Sequence, residues 1–330
     1  MADKIRWGIL GCGQIASVFA EALCELEDAE LLAVGSRSLD KAKGFAEKFG
    51  AGRAYGSYVE LAANDDIDVV YVATPHVFHM ENTLLCIEAG RAVLCEKPLA
   101  VNAKQAGRMI DAARAKGVFL MEAMWTRFIP AIVKVRQLLS DGVIGEVRMV
   151  QADFGYRFDF DPNHRAFNLK LGGGALLDVG VYPVSLASMI FGRQPEAIAG
   201  LADIGKTSVD EQSAFVLRYT KGELAVLYCA LRTETPGEAV IIGTKGMIKV
   251  HYPFWRSKCL TIRRDGKDVE LLDLPFECNK FCFQAEHVQN RLREGKKQSD
   301  IMTLDESLAI METMDKIRGQ WALRYPADEE

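Results

Sequence analysis

Over the first third of the chain, short apolar runs alternate with stretches whose apolar positions recur every three or four residues. Trp7 to Leu10 is such a run, and a helical pattern follows from Gln14 to about Leu26. Glu30 to Ser36 predicts a second strand, with a helix over Leu39 to Phe49. After a short connecting segment, Tyr55 to Ala63, the apolar stretch Asp68 to Thr74 predicts a buried strand. Helix Met80 to Ala89 stops at Gly90, strand Ala92 to Cys95 follows, and helix Val101 to Lys116, capped near Asn102, leads to strand Val118 to Glu122. This alternation predicts a doubly wound parallel sheet. After Trp125 the rhythm changes. Helix Ile129 to Ser140 precedes a strand at Glu146 to Gly155, and further strands are predicted at 197–202, 213–219, 224–231, 239–243, 247–250 and 260–264. Lys221-Gly222, Lys245-Gly246 and Asp265-Gly266 mark hairpin turns. Helices at 284–294 and 304–319 close the chain. The fold class is therefore α/β: a doubly wound domain over 1–123, then an α+β domain over 124–330 with a large, mainly antiparallel open sheet. The last helices are free to pack back on the first domain.

Composition narrows the function classes. A chain of 330 residues exceeds most single cores, so two domains are the default. With 49% apolar and 26% charged residues it reads as a folded, soluble protein. A net charge of −5 provides no basic footprint for nucleic acid and no polybasic membrane patch. No apolar run is read as long enough to cross a membrane, and Met1-Ala2-Asp3-Lys4 leads into a strand rather than a signal peptide. The eight cysteines form no C-x-x-C pair, and Cys86, Cys95 and Cys229 lie in apolar runs. Reduced core thiols of a cytoplasmic protein are expected. Cys278 and Cys282 lack the histidine or cysteine neighbours that a metal site needs.

Gly11-Cys12-Gly13-Gln14-Ile15-Ala16 sits between the first strand and the first helix. Gly11 permits the tight turn, Gly13 lets backbone approach a pyrophosphate, and Ala16 keeps helix and strand close. The N–H groups opening the helix, from Gln14 and Ile15 onward, face the phosphates. This is the dinucleotide fingerprint of a Rossmann domain. The residue that selects the cofactor falls about twenty positions on, at Ser36-Arg37-Ser38. An acid there would bind a free ribose 2′-hydroxyl, whereas Arg37 between hydroxyls suits a 2′-phosphate, so NADP is expected rather than NAD. A solvated loop charge is the plainer reading of Arg37. Thr74-Pro75-His76 and His79 lie at the carboxyl end of a strand, the edge where cofactors sit, and no third ligand makes His76 and His79 a metal pair. Glu96-Lys97-Pro98 ends the next strand, and Pro98 holds Lys97 in extended backbone.

Gly172-Gly173-Gly174 reads alone as a flexible loop. It precedes an apolar run carrying Asp178 and Tyr182, which share a face if the backbone stays helical, although Gly180 and Pro183 are potential breaks. An Asp isolated in such a run needs a partner. Tyr182 is open to two readings, core or chemistry.

The segments GCGQIA, TPHVFH, AVLCEKPLAVN and GGGALLDVGVYPVS resemble the Gfo/Idh/MocA oxidoreductases, relatives of glucose–fructose oxidoreductase and inositol dehydrogenase. MEAMWTRFIP, GTKGMI and Tyr182 in place of the histidine of many members are most similar to the branch acting on dihydrodiols and xylose. The resemblance spans essentially the whole chain. It implies Tyr182 as acid/base, Lys97 beside it, Asp178 orienting, and Trp125, Phe154 and Trp255 lining a substrate pocket. On the residues alone these aromatics are equally well explained as core. It also implies a homodimer through the second domain's open sheet. The expected activity is NADP-linked hydride transfer to or from a secondary alcohol or hemiacetal of a sugar, polyol or trans-dihydrodiol. Two alternatives remain at this point: a non-enzymatic NADP-binding regulator on the same fold, disfavoured by the presence of Lys97 and Tyr182, and reduction of an unsaturated bond.

Overall fold

The computed structural model describes residues 4–329, which divide into two compact units. The first comprises residues 4–100, 104–125 and 277–308; the second comprises 101–103, 126–276 and 309–329.

In chain order the first unit contains β1 (Ile5–Leu10), α1 (Gln14–Cys24), β2 (Ala29–Gly35), α2 (Leu39–Phe49), β3 (Arg53–Tyr55), α3 (Tyr58–Ala62), β4 (Val69–Val72), α4 (His79–Glu88), β5 (Ala92–Glu96), α5 (Ala103–Lys116) and β6 (Leu120–Ala123). The strands form one sheet in the order β3-β2-β1-β4-β5-β6, and every pairing is parallel. The order reverses between β1 and β4, so the turns after these two strands flank the crevice where such sheets bind ligands. Trp7 meets Phe19 edge-on at 5.2 Å, and Phe19 stacks on Tyr71 at 3.8 Å between ring centroids. This aromatic column fastens α1 to β1 and β4. The segment read as a connection, 55–63, instead contains the end of β3 and all of α3. Ser57 starts that helix by accepting from the Glu60 N–H, a local cap that a three-residue strand and one-turn helix do not advertise by periodicity.

In the second unit lie α6 (Pro130–Ser140), β7 (Val147–Gly155), α7 (Val181–Phe191), β8 (Ala197–Ile204), β9 (Asp210–Arg218), β10 (Leu224–Ala230), β11 (Ala239–Gly243), β12 (Gly246–Val250), β13 (Cys259–Arg264) and β14 (Glu270–Asp273). Their order is β14-β13-β12-β11-β7-β10-β9-β8. All neighbours are antiparallel except β7 and β10, which pair parallel. The chain between them passes through α7, β8 and β9, the long crossover that a parallel pair requires. One sheet face is buried by Phe215, Leu217, Leu227, Ile241 and Ile262. On the other face Val216 and Leu201 are exposed, Leu201 at 83%.

The last helices are α8 (Cys282–Arg293) and α9 (Leu304–Gly319). The first of these joins the nucleotide-type unit through its own hydrogen bonds. Trp7 Nε1 donates to Gln289 Oε1 at 3.3 Å, Gln289 donates to Asp28, and Asn279 Nδ2 donates to the Val18 carbonyl.

One reading of the composition changes. By length and hydropathy, Leu169–Phe191 is apolar enough to cross a membrane, contrary to the reading that no run reaches that length. It is interior: 83% of the apolar window is buried within the protein. All eight cysteines are free thiols. Burial pushes the Cys86 thiol up to about 12 and raises Cys95 and Cys229 as well, so these sulfurs are protonated packing groups.

Candidate active site

In the first unit the residues expected to hold a dinucleotide gather at the carboxyl ends of β1, β2, β4 and β5. Gly11 turns the chain with φ +103°, and its N–H donates to Gly35 O at 2.9 Å. A Cβ there would meet the Ala73 carbonyl at 3.0 Å, so the turn packs against the end of β4. At Gly13 a Cβ would meet nothing within 4 Å, and Gly13 and Gln14 are exposed. No side chain caps α1, which leaves the N–H groups at Gln14 and Ile15 aimed at that open space. Uncapped donors beside a gap left by glycine fit the pyrophosphate of a dinucleotide.

Ser36 is buried at the end of β2, where its Oγ accepts the Ser38 N–H at 3.3 Å. Arg37 points outward, with its guanidinium carbon 5.9 Å from the Phe78 ring centroid and its charge felt by the Tyr58 phenol. Asp40 lies in the first turn of α2, past the strand end. The cation at the selecting position is thus braced by an aromatic on each of two neighbouring elements. Burial raises the Tyr58 phenol, and the charge of Arg37 opposes that shift. Tyr58 carries no motif, and sequence reasoning passed over it.

Thr74 is buried, Pro75 is exposed, and His76 and His79 stand 5.7 Å apart edge to face. His79 is completely buried: Nε2 faces the Thr74 carbonyl and Nδ1 the Pro98 carbonyl, each at 2.8 Å. Loss of solvation holds its pKa below the ordinary histidine value, against the pull of these two carbonyls. His79 therefore braces the β4 end against the Lys97-Pro98 corner. Glu96 anchors that corner from the other side. One of its carboxylate oxygens accepts the Tyr71 hydroxyl and the other the Lys97 N–H, so a buried carboxylate is satisfied twice. Leu99 N–H donates to Glu122 Oε1 at 3.1 Å. Lys97 leaves this frame as a half-buried side chain. Trp125 is buried in the same unit, 5.4 Å from Phe281, with the Lys280 ammonium 5.2 Å from its ring centroid.

In the second unit the segment with the glycine triplet is not a loose loop. Gly172 has φ +72° and Gly174 φ +118°. A Cβ on Gly173 would lie 2.7 Å from both the Arg165 and Ala166 carbonyls, and one on Gly174 would overlap the Asp210 carboxylate. The helix that follows does not break. Leu176–Gly180 forms a wide π turn that runs directly into α7. Pro183 has no N–H to return one turn back, and the wide turn before it accommodates that missing donor. Gly180 lets β10 approach, since a Cβ would stand 2.9 Å from Cys229 Sγ.

Asp178 and Tyr182 are both buried on this helix. Asp178 has the partner its setting demanded: Arg165 Nη1 lies 3.1 Å from Asp178 Oδ1. The Tyr182 ring stands 5.2 Å from Phe154, which stacks on Trp255 at 3.5 Å with 6° between planes. The structure thus brings Tyr182, Phe154 and Trp255 into one cluster. Arg165 was missed because its partner lies beyond the glycine triplet, with no helical or strand spacing to connect them. Among the described residues no group of three or more His, Cys, Asp or Glu is arranged to hold a metal ion.

Known proteins agree with this architecture. Residues 5–124 match the model of the oxidoreductase family with an NAD-binding Rossmann fold, and 132–249 match the GFO/IDH/MocA C-terminal domain. The trans-1,2-dihydrobenzene-1,2-diol dehydrogenase of Mus musculus is 40% identical over 334 residues, covering 98% of this chain and 99% of that one. The Homo sapiens enzyme of the same name is 37% identical with the same coverage. Among solved structures, a 3-ketoreductase from Actinomadura kijaniata in complex with NADP and TDP-benzene superposes with a TM-score of 0.85 at 28% identity, covering 96% of this chain and 98% of that one. An aldose–aldose oxidoreductase from Caulobacter crescentus complexed with glycerol gives 0.87 at 26% identity, with 96% and 97% covered. Both halves of the chain match their family models and the relatives run its full length: it belongs to the GFO/IDH/MocA family and is an NAD(P)-dependent oxidoreductase.

Proposed function

We propose that the protein is an NADP-linked dehydrogenase acting on a secondary alcohol or hemiacetal of a trans-dihydrodiol, sugar or polyol. The observation that carries this reading is the pairing of a buried tyrosine with stacked aromatics: Tyr182 beside Phe154 and Trp255, on a helix that also bears the Arg165-paired Asp178. Flat aromatic walls suit an apolar ring or the face of a sugar. The names of the mammalian relatives and the NADP of the ketoreductase support the same substrate and cofactor classes. Arg37, with its forked donors at the end of β2, supports NADP over NAD.

When bound, the nicotinamide supplies the acceptor for the hydride of the carbinol carbon. The chain's own task is to orient that carbon and take one proton. Tyr182 takes the hydroxyl proton as the C–H bond breaks. A free tyrosine has a pKa of about 10 and is a weak base at neutral pH. Asp178, held by Arg165 and carried on the same stretch of helix, orients Tyr182, and a positive charge beside the phenol is what favours the phenolate. Tyr182→Phe tests the assignment with NADP⁺ and a panel of pyranoses, inositols and trans-dihydrodiols, followed at the nicotinamide absorbance. Turnover should fall roughly 10²–10⁴-fold while NADPH affinity barely moves. Near-full turnover with a good substrate sinks it.

The open sheet face supports a homodimer. Residues Ala199, Val216, Val226, Gln151 and Val240 stand opposite one another across five strands, and none is buried. Such a face is covered by a second copy in this reading, and light scattering should report twice the 36.5 kDa chain mass. Eight free thiols, four of them buried, fit a cytoplasmic protein.

A further inference from the structure

We infer that Asp210 and Tyr325 are positioning residues of the proton-handling helix, clamping from two sides the glycine turn on which Asp178 and Tyr182 are mounted. This rests on the role of Tyr182 proposed above. Three consecutive glycines are the least constrained backbone a chain can have, and they would not by themselves fix the helix that follows. Two polar groups from distant parts of the second unit supply the constraint. Asp210, the first residue of β9, has no exposed surface, and its Oδ2 accepts the Leu176 N–H at 2.7 Å. That N–H is one of the donors a helix start leaves unpaired. The other oxygen, Oδ1, sits against Gly174 with no hydrogen-bond partner. Tyr325 is 1% exposed and donates its hydroxyl to the Gly173 carbonyl at 2.7 Å.

The tyrosine is itself tied down. Its N–H donates to Asp328 Oδ2 at 2.9 Å, and Arg318 Nη2 and Asn102 Nδ2 reach Asp328 Oδ1 at 2.8 and 2.9 Å. The Arg318 guanidinium lies 5.3 Å from the Tyr325 ring centroid. One carbonyl and one N–H on either side of Gly174 are therefore pinned by groups whose own positions are fixed. Asp178 follows two residues after the capped Leu176, so a shift of the turn is transmitted to it directly. Misplacement of a catalytic group by about 1 Å costs on the order of 10²-fold in rate.

The test compares wild type with Asp210→Ala, Asp210→Asn and Tyr325→Phe, using Tyr182→Phe as a reference. Readouts are kcat and KM, NADPH affinity by fluorescence, and amide exchange of 173–178 by mass spectrometry. Asp210→Ala and Tyr325→Phe should each lower kcat roughly tenfold or more, leave NADPH affinity unchanged, and speed exchange at the turn. Asp210→Asn keeps an acceptor for Leu176 and should rescue both readouts. Should Asp210→Ala fail to fold, Tyr325→Phe removes a single hydroxyl and still decides the question. Wild-type turnover or wild-type exchange in the folded variants overturns the inference, as does an equal loss in Asp210→Asn and Asp210→Ala. Full turnover in Tyr182→Phe would instead strike the catalytic reading, and the exchange data would separate that failure from a failure of the clamp.

Discussion

The protein contains two glycine turns that each start a helix, and they use glycine in opposite ways. At Gly11-Cys12-Gly13 the second glycine faces open space, and no side chain caps the helix that follows. At Gly172-Gly173-Gly174 the space is filled by the chain itself: two carbonyls press on Gly173, a carboxylate on Gly174, and the helix start is capped from β9. The first turn leaves open space beside uncapped backbone donors. The second fills its space, so that the start of the helix carrying Asp178 and Tyr182 is held still. A glycine cluster thus marks either a ligand gap or an internal close approach, and the neighbouring side chains decide which.

The largest expected effect comes from disturbing the filled turn. Gly174→Ala combines a φ of +118° with overlap of the Asp210 carboxylate, and should lower stability by on the order of 3 kcal/mol, read as a fall in Tm. An unchanged Tm would mean the turn has slack. At the open turn's end of the site, Arg37→Ala should weaken NADPH binding by about 1.5–3 kcal/mol and leave NADH nearly untouched. Equal losses for both cofactors would remove Arg37 from phosphate recognition.

Next comes the buried cap. Burial pushes Asp210 up to about 7, and the groups that feel its charge, Tyr325 and Cys229, are themselves held protonated by burial. A carboxyl whose pKa is raised on folding favours the native state most at low pH, and that contribution is lost as pH climbs through the folded value. Asp210→Asn should therefore gain stability over wild type between pH 5 and 8, by about 2 kcal/mol in urea unfolding. A difference independent of pH would show that the carboxyl does not titrate there. The smallest effect is at Gly13. Gly13→Ala meets no atom within 4 Å, so Tm should hold while NADPH affinity drops about tenfold, or ~1.4 kcal/mol. Unaltered affinity would erase the contrast between the two turns.

What the chain disclosed in advance follows the reach of each interaction. β1 and α1 were legible because Trp7–Leu10 and Gln14–Cys24 are built from local periodicity. The same holds for α9, whose bounds at Leu304–Gly319 need no distant partner. β14 escaped notice because Glu270–Asp273 is a half-exposed strand with a charge at each end and no apolar run. The parallel union of β7 with β10 was unreadable, since each strand looks the same whichever way its neighbour runs. Arg37, Lys97, Asp178 and Tyr182 stood out by type and setting. Arg165, Asp210 and Tyr325 did not, because their meaning lies in partners: Asp210 bonds 34 positions away and Tyr325 152.

That last separation reaches into how the molecule is made. Every strand of both sheets is complete by residue 273, and the nucleotide-type unit by residue 308. The hydroxyl that pins Gly173 arrives only with residue 325. A chain cut between residues 308 and 325 keeps the nucleotide-type unit and every strand, yet leaves the Gly173 carbonyl unpinned. On the functional reading proposed above, such a shortened chain binds the dinucleotide but turns over substrate poorly.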